Sequence, residues 1–216
     1  MATATRSQNP ASPASPGPLG SQPARLRFTV DDFYRLGDLG FLCEVARVEL
    51  IEGDLIARIP IGPRHADVVD RLVEILVPLL FGRAIVRVQN PLRLDDHSEP
   101  EPDLMIVNRR EGRYASAHSG PSDVLLFLEV MDSSSAYDRG TKLGLYARSG
   151  VTEVWLIDLI EDRIELHRIP DNGTYTEQLI RSRGQTVAPA ALPNVELDIN
   201  AILGPLEANQ IPLPQT

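Results

Sequence analysis

Seven consecutive residues, Val124 to Val130 (VLLFLEV), are apolar apart from one glutamate, and that run restricts the folds open to this chain more than any other feature. A strand that is apolar at odd and even positions alike has both faces covered, so it belongs inside a sheet flanked by other layers. Its single charge, Glu129, must then find solvent, a partner or a metal. A structural salt bridge would satisfy it as well as a ligand role would.

What surrounds the run builds a sheet. Ser133 to Ser135 offer N-capping hydroxyls, Tyr137 to Arg148 reads as a helix, Gly150 as its C-terminal cap and Glu153 to Asp158 as a strand. Strand, helix, strand in that order implies a right-handed crossover and a parallel pair at the centre of the sheet. Upstream, Asp103 to Val107 is a strand entered through Pro102, and Ala84 to Val88 and Leu92 to Leu94 are strand material broken at Asn90-Pro91. Downstream, Ile164 to Ile169 and Tyr175 to Ile180 flank Asp171-Asn172-Gly173, a hairpin turn, and extend one edge. An earlier hairpin pairs Arg47–Ile51 with Leu55–Ile59 around Glu52-Gly53-Asp54 and carries Glu49 on its first strand.

Two helices precede the central strands. Thr29 and Asp32 have the layout of a capping box, which predicts a short helix ending near Gly37 or Gly40. Val68, Leu72, Ile75, Leu76 and Leu79 recur at helical spacing and predict a long helix from Pro63 to about Phe81, kinked or stopped early by Pro78. The polar loop holding Gly112, His118, Gly120 and Pro121 is a candidate flap over a site, and Val195 to Leu203 is expected to pack back on the body. The fold class is α/β (α+β), a mixed central β-sheet flanked by helices.

With 216 residues, the chain has length for one substantial domain. Residues 1–24 contain almost nothing that could form a core and are expected to be a disordered tail; 25–204 form the domain, and 205–216 a second tail. No secretory signal and no run approaching roughly 18 apolar residues is present, which predicts a cytoplasmic protein without a membrane span. The lone Cys43 cannot form an internal disulfide and reads as a small buried residue. The net charge of -9 disfavours nonspecific adhesion to polyphosphate, so contact with nucleic acid has to be local or metal-bridged.

Four residues carry the chemistry on their own pattern: Asp103 at the mouth of one apolar run, Glu129 near the end of another, Glu49 on an apolar strand, and Lys142 on the following helix. Lys142 shares a helical face with Tyr146, and Arg139 with Leu143, so one face can turn an ammonium toward Glu129. Each has an ordinary alternative, since acids at strand starts are common and most helix lysines are solvated. His65, in the first turn of the long helix, reads as a surface histidine or cap more readily than as a ligand.

The motifs ELIEGDL (Glu49 to Leu55), GPRH (Gly62 to His65), EPD (Glu101 to Asp103), LEVMDSSS (Leu128 to Ser135), YDRGTKLGLYARSGV and EVWLID, taken in order, resemble the Uma-type putative restriction endonucleases. These are a bacterial family of the PD-(D/E)xK nuclease superfamily, and the resemblance spans about residues 45–169. It implies a restriction endonuclease-like fold and metal-dependent phosphodiester hydrolysis of nucleic acid, DNA first, with magnesium or manganese as cofactor. Asp103 matches the acid of the PD step and Glu129 that of the (D/E)xK step. Met131 stands where the superfamily has its lysine, and Lys142 matches the family's helix lysine as a migrated replacement. The metal set implied is Asp103, Glu129 and Glu49, with His65 and Tyr146 as accessory residues, and cutting both strands implies a homodimer. Two other readings stay open. A binding module of the same fold that has lost catalysis would explain Met131, and a glycosidase built on paired carboxylates is disfavoured by the single tryptophan, Trp155.

Overall fold

The computed structural model describes residues 25–42, 47–132 and 137–205. The expected N-terminal tail, Cys43, the Ser133 to Ser135 cap and residues 206–216 of the C-terminal tail lie outside the described residues. A short helix α1 (Val30–Asp38) opens the described chain, closed at its start by the reciprocal hydrogen bonds of Thr29 and Asp32. A hairpin, β1 (Val48–Ile51) and β2 (Asp54–Ala57), and the long helix α2 (Pro63–Leu80) follow.

The centre is a six-stranded sheet. Its strands are β3 (Ala84–Val88), β4 (Leu104–Asn108), β5 (Val124–Met131), β6 (Glu153–Asp158), β7 (Arg163–Asp171) and β8 (Thr174–Ser182), in that spatial order. All neighbours are antiparallel except the central pair β5 and β6, which is parallel as the strand, helix, strand order requires. The turn between β7 and β8 is Asn172-Gly173, both at positive φ, the geometry that matches the twist of a two-residue hairpin.

Alternation along the strands sorts the core into two layers. Leu104, Ile106, Leu126, Leu128, Val130, Trp155 and Ile157 face α2, which buries Val68, Leu72, Leu76 and Leu80 against them. Met105, Val107, Phe127, Met131, Val154 and Leu156 face the crossover helix α3 (Leu143–Arg148), which buries Leu143, Tyr146 and Ala147. Fully burying one such aliphatic side chain is worth about 1.5–3 kcal/mol, so α2 is held by its apolar stripe rather than by capping; its N-cap Gly62 makes no side-chain bond.

Helix α2 covers the expected span, and of the two outcomes expected of Pro78 the early stop does not occur: the helix runs through it to Leu80, because the buried Leu76 and Leu80 hold the last turn against the sheet. Three expectations need correction. Leu92–Leu94 form no strand, only one isolated bridge from Leu92 to Ser119. The crossover is not one α-helix: Asp138–Lys142 form a π-helical turn that leads into α3. The loop after β4 is no flap, since it leaves the strand at the end opposite Asp103 and contributes nothing to the cavity beside that residue. The predicted return of the C-terminal segment is present. Val195, Leu197, Ile199, Ile202 and Leu203 join the core under α2, through a small ladder of β9 (Thr186–Val187) with β10 (Leu197–Asp198) and a final helix α4 (Ile199–Leu203).

Candidate active site

Strand register brings the first two acids together. Leu104 pairs with Leu128 in the antiparallel β4–β5 ladder, so the residue before β4, Asp103, lies opposite Glu129, and its backbone N–H donates to Glu129 Oε2 at 3.3 Å. The third acid comes from the hairpin. Glu49 on β1 pairs with Ile56 on β2, and Arg58, two residues beyond Ile56, shares its face. Glu49 is fixed from the other side by the Glu101 N–H, which donates to its Oε1 at 3.0 Å.

Lysine reaches the acids through the crossover. The chain leaves β5 beyond Met131, and the π-helical turn ends at Lys142, whose Nζ lies 3.0 Å from Glu49 Oε2 and 3.3 Å from Glu129 Oε1. π-Turns inside helices concentrate at functional sites, and this one sets Lys142 beside two carboxylates. One turn on, the Tyr146 hydroxyl donates to Glu129 Oε1 at 2.8 Å, its ring packed 4.2 Å from that of Phe127. Arg139 does not enter the site. It bonds Asp158 and, at 2.8 Å, Glu165, tying the crossover to the ends of β6 and β7.

Asp103 is bonded on both carboxylate oxygens. Its Oδ1 accepts from Arg58 Nη2 at 2.9 Å, and its Oδ2 meets His65 Nε2 and the Val130 N–H, both at 3.0 Å. Burial pushes its carboxyl up, but the hydrogen bond and charge of His65, the charge of Arg58 and the Val130 N–H outweigh burial and hold it below the usual range. Burial pulls His65 down, yet Asp103 holds it above its ordinary value. His65 is therefore not the surface histidine its position suggested; α2 turns it inward, and its Nδ1 has no partner among the described residues. Arg58 is also held above its usual range, the charges of Glu49, Asp103 and Glu129 outweighing its burial.

Glu49, Asp103, Glu129 and Lys142 are 1%, 2%, 3% and 6% exposed. They line a cavity of about 280 Å³ together with Arg58, His65, Asp132, Tyr137 and the segment Ile59–Gly62. All six residues singled out by sequence thus come together. Arg58 was missed, although the hairpin register alone sets it diagonal to Glu49 on one face. Met131 packs with Phe127, Leu143 and Tyr146 in the apolar layer, 1% exposed.

Three buried carboxylates are hard oxygen donors of the kind that magnesium and manganese take, so the donor set fits such an ion. The present arrangement engages those oxygens with Arg58, Lys142, His65, Tyr146 and backbone N–H groups. Among the described residues, no three His, Cys, Asp or Glu side chains are spaced to hold a metal.

Comparison with known proteins bears on the same segments. The sequence model of the Uma2 family, described as putative restriction endonuclease, matches residues 30–200. The fold is similar to the crystal structure of a putative nuclease belonging to DUF820 from Anabaena variabilis, with a TM-score of 0.64 and 18% identity, covering 82% of this chain and 97% of that one. No curated protein matches the chain.

Proposed function

Because the chain belongs to the Uma2 family of putative restriction endonucleases, over residues 30–200, we propose that it is a nuclease that hydrolyses DNA phosphodiesters with magnesium, or manganese in its place, at the Glu49, Asp103, Glu129 and Lys142 cavity. One observation carries the reading. Three carboxylates from β1, the mouth of β4 and β5 share one cavity with an ammonium delivered by the crossover.

Asp103, Glu129 and Glu49 are the residues that would hold the ion. When bound, such an ion polarises the phosphodiester and lowers the pKa of the attacking water. The chain's own groups do the rest. Tyr146 and Lys142 hold the Glu129 carboxylate, and His65 and the Val130 N–H hold that of Asp103, which orients both acids at the cavity. Lys142 offers N–H donors to the water or to the charge that grows on the phosphoryl oxygens.

One cavity cuts one strand, so double-strand cleavage calls for a homodimer. No helix among the described residues is long and apolar enough to cross a membrane, and a DNA substrate fits a cytoplasmic protein. The test is cleavage of end-labelled duplex DNA, with RNA in parallel, in magnesium and in EDTA. Magnesium-dependent scission of DNA is expected. Binding without scission would favour the second reading, a binding module of the same fold, for which the engagement of every oxygen of Glu49, Asp103 and Glu129 by Arg58, Lys142, His65, Tyr146 and backbone N–H groups is the argument.

A further inference from the structure

The charged groups of the cavity alternate along a chain whose two end acids meet through a backbone N–H, closing it into a ring. Asp103 meets Arg58 at 2.9 Å, Arg58 meets Glu49 at 3.7 Å, Glu49 meets Lys142 at 3.0 Å, Lys142 meets Glu129 at 3.3 Å, and Glu129 accepts from the Asp103 N–H at 3.3 Å. Arg58 is anchored at a third point, donating from Nη1 to the Glu101 carbonyl at 2.7 Å. Its guanidinium thus lies between two of the three acids that the nuclease reading assigns to a metal.

We propose that Arg58 is a built-in competitor for the divalent cation, filling the cation position between Glu49 and Asp103 and leaving it when an ion binds; this rests on the metal-dependent nuclease reading above. A carboxylate oxygen already engaged by a guanidinium reaches a metal only by giving up that donor. Charge gives the same direction. Three carboxylates against one guanidinium and one ammonium leave the ring with one negative charge. Exchanging the guanidinium for a divalent ion changes the charge of the cavity by +1, whereas adding the ion beside the guanidinium changes it by +2, the costlier step among groups this buried.

The fold also decides which cation yields. Both cations meet two acids and line the cavity. The Lys142 side chain is 7% exposed and leaves from the end of the π-helical turn, whereas that of Arg58 is 14% exposed and stands just beyond β2 on the wall formed by Ile56–Gly62. At 3.7 Å, the contact of Arg58 with Glu49 is the loosest of these. Turning into that space keeps the guanidinium on the wall of the same cavity. The hairpin is therefore both the source of Glu49 and the element that holds the cation position closed.

Calorimetric titration with manganese chloride of the wild type and Arg58→Met tests this, with thermal melting as the check on folding. Removing the competitor is expected to tighten manganese binding about tenfold or more, the scale of a charge-assisted pair that no longer has to be broken. Equal or weaker affinity in Arg58→Met would overturn the role of Arg58 and leave the metal reading standing. No binding by either protein would overturn both. Should Arg58→Met fail to fold, the wild type decides through the Arg58 Nε–H resonance during a magnesium titration: a shift in step with saturation supports the competition, and saturation with that resonance unmoved contradicts it.

Discussion

Lys142 Nζ lies 3.3 Å from Glu129 Oε1, though thirteen positions separate the two residues along the chain. The contact spans the crossover from β5 to the π-helical turn and gives the site its ammonium without a lysine at position 131. Lys142→Ala is expected to lower turnover by roughly 10²-fold, the scale of losing one transition-state donor. Adding Met131→Lys to that variant is expected to restore nothing. Met131 packs among Phe127, Leu143 and Tyr146 in the apolar layer, where burying an ammonium is costly. Single-turnover cleavage rates for the single and double variants check both statements, and recovery of rate in the double variant would show that the strand position can still serve.

Removing Asp103 is expected to affect the fold as well as chemistry. Asp103→Ala takes one acceptor from the buried Arg58, which keeps Glu49 and the Glu101 carbonyl, and leaves the Val130 N–H without its acceptor. Losing one partner of a buried ion pair costs about 3–5 kcal/mol. Urea unfolding should place Asp103→Ala well below the wild type and Asp103→Asn between them; an Asp103→Ala protein as stable as the wild type would show that these bonds contribute little.

His65 and Asp103 give the apo protein a pH signature. Asp103 holds the imidazole above its ordinary value, so the stability from the charged pair is fully present below the unfolded histidine pKa of about 6.5 and is lost as pH rises through the raised folded value. The lowered Asp103 carboxyl acts at the other end: its contribution is present above about 3.9 and is lost as pH falls through its folded value. Melting temperature in EDTA should therefore fall with alkaline pH from about 6.5. That slope should be reduced in His65→Gln, and an identical alkaline slope in the variant would refute the coupling.

Arg139 is expected to act on stability rather than on the reaction. It joins the π-helical turn to Asp158 and Glu165, both buried, and touches none of the cavity acids. Arg139→Leu should cost roughly 3 kcal/mol, at the low end for breaking a buried pair because Glu165 keeps Arg163. Its cleavage rate at low temperature should stay close to the wild type. A rate loss as large as that of Lys142→Ala, with stability unchanged, would place Arg139 in the chemistry instead.

Sequence made the sheet and most of the site legible for a physical reason. A charge inside an apolar strand is costly unless it has a partner, so Glu49 and Glu129 stood out against their neighbours, and Pro102 marked where Asp103 enters its strand. The parallel pair followed from the strand, helix, strand order. The π-helical turn was hidden because one extra residue in a helix barely changes an apolar pattern. Arg58 was hidden because a single arginine next to a short strand carries no spacing signal until the hairpin register is used to set it against Glu49. The inward turn of His65 depends on how α2 rotates against the sheet, which its first turn alone does not fix.

The most direct test of the account is nicking of supercoiled plasmid by wild type and Glu129→Gln, prepared in parallel and matched by circular dichroism. The wild type is expected to nick in magnesium and to stop in EDTA, with Glu129→Gln slower by roughly 10²-fold or more. Equal rates in the two proteins, or nicking that persists undiminished in EDTA, would contradict the claim that this carboxylate cavity is a metal-dependent nuclease centre.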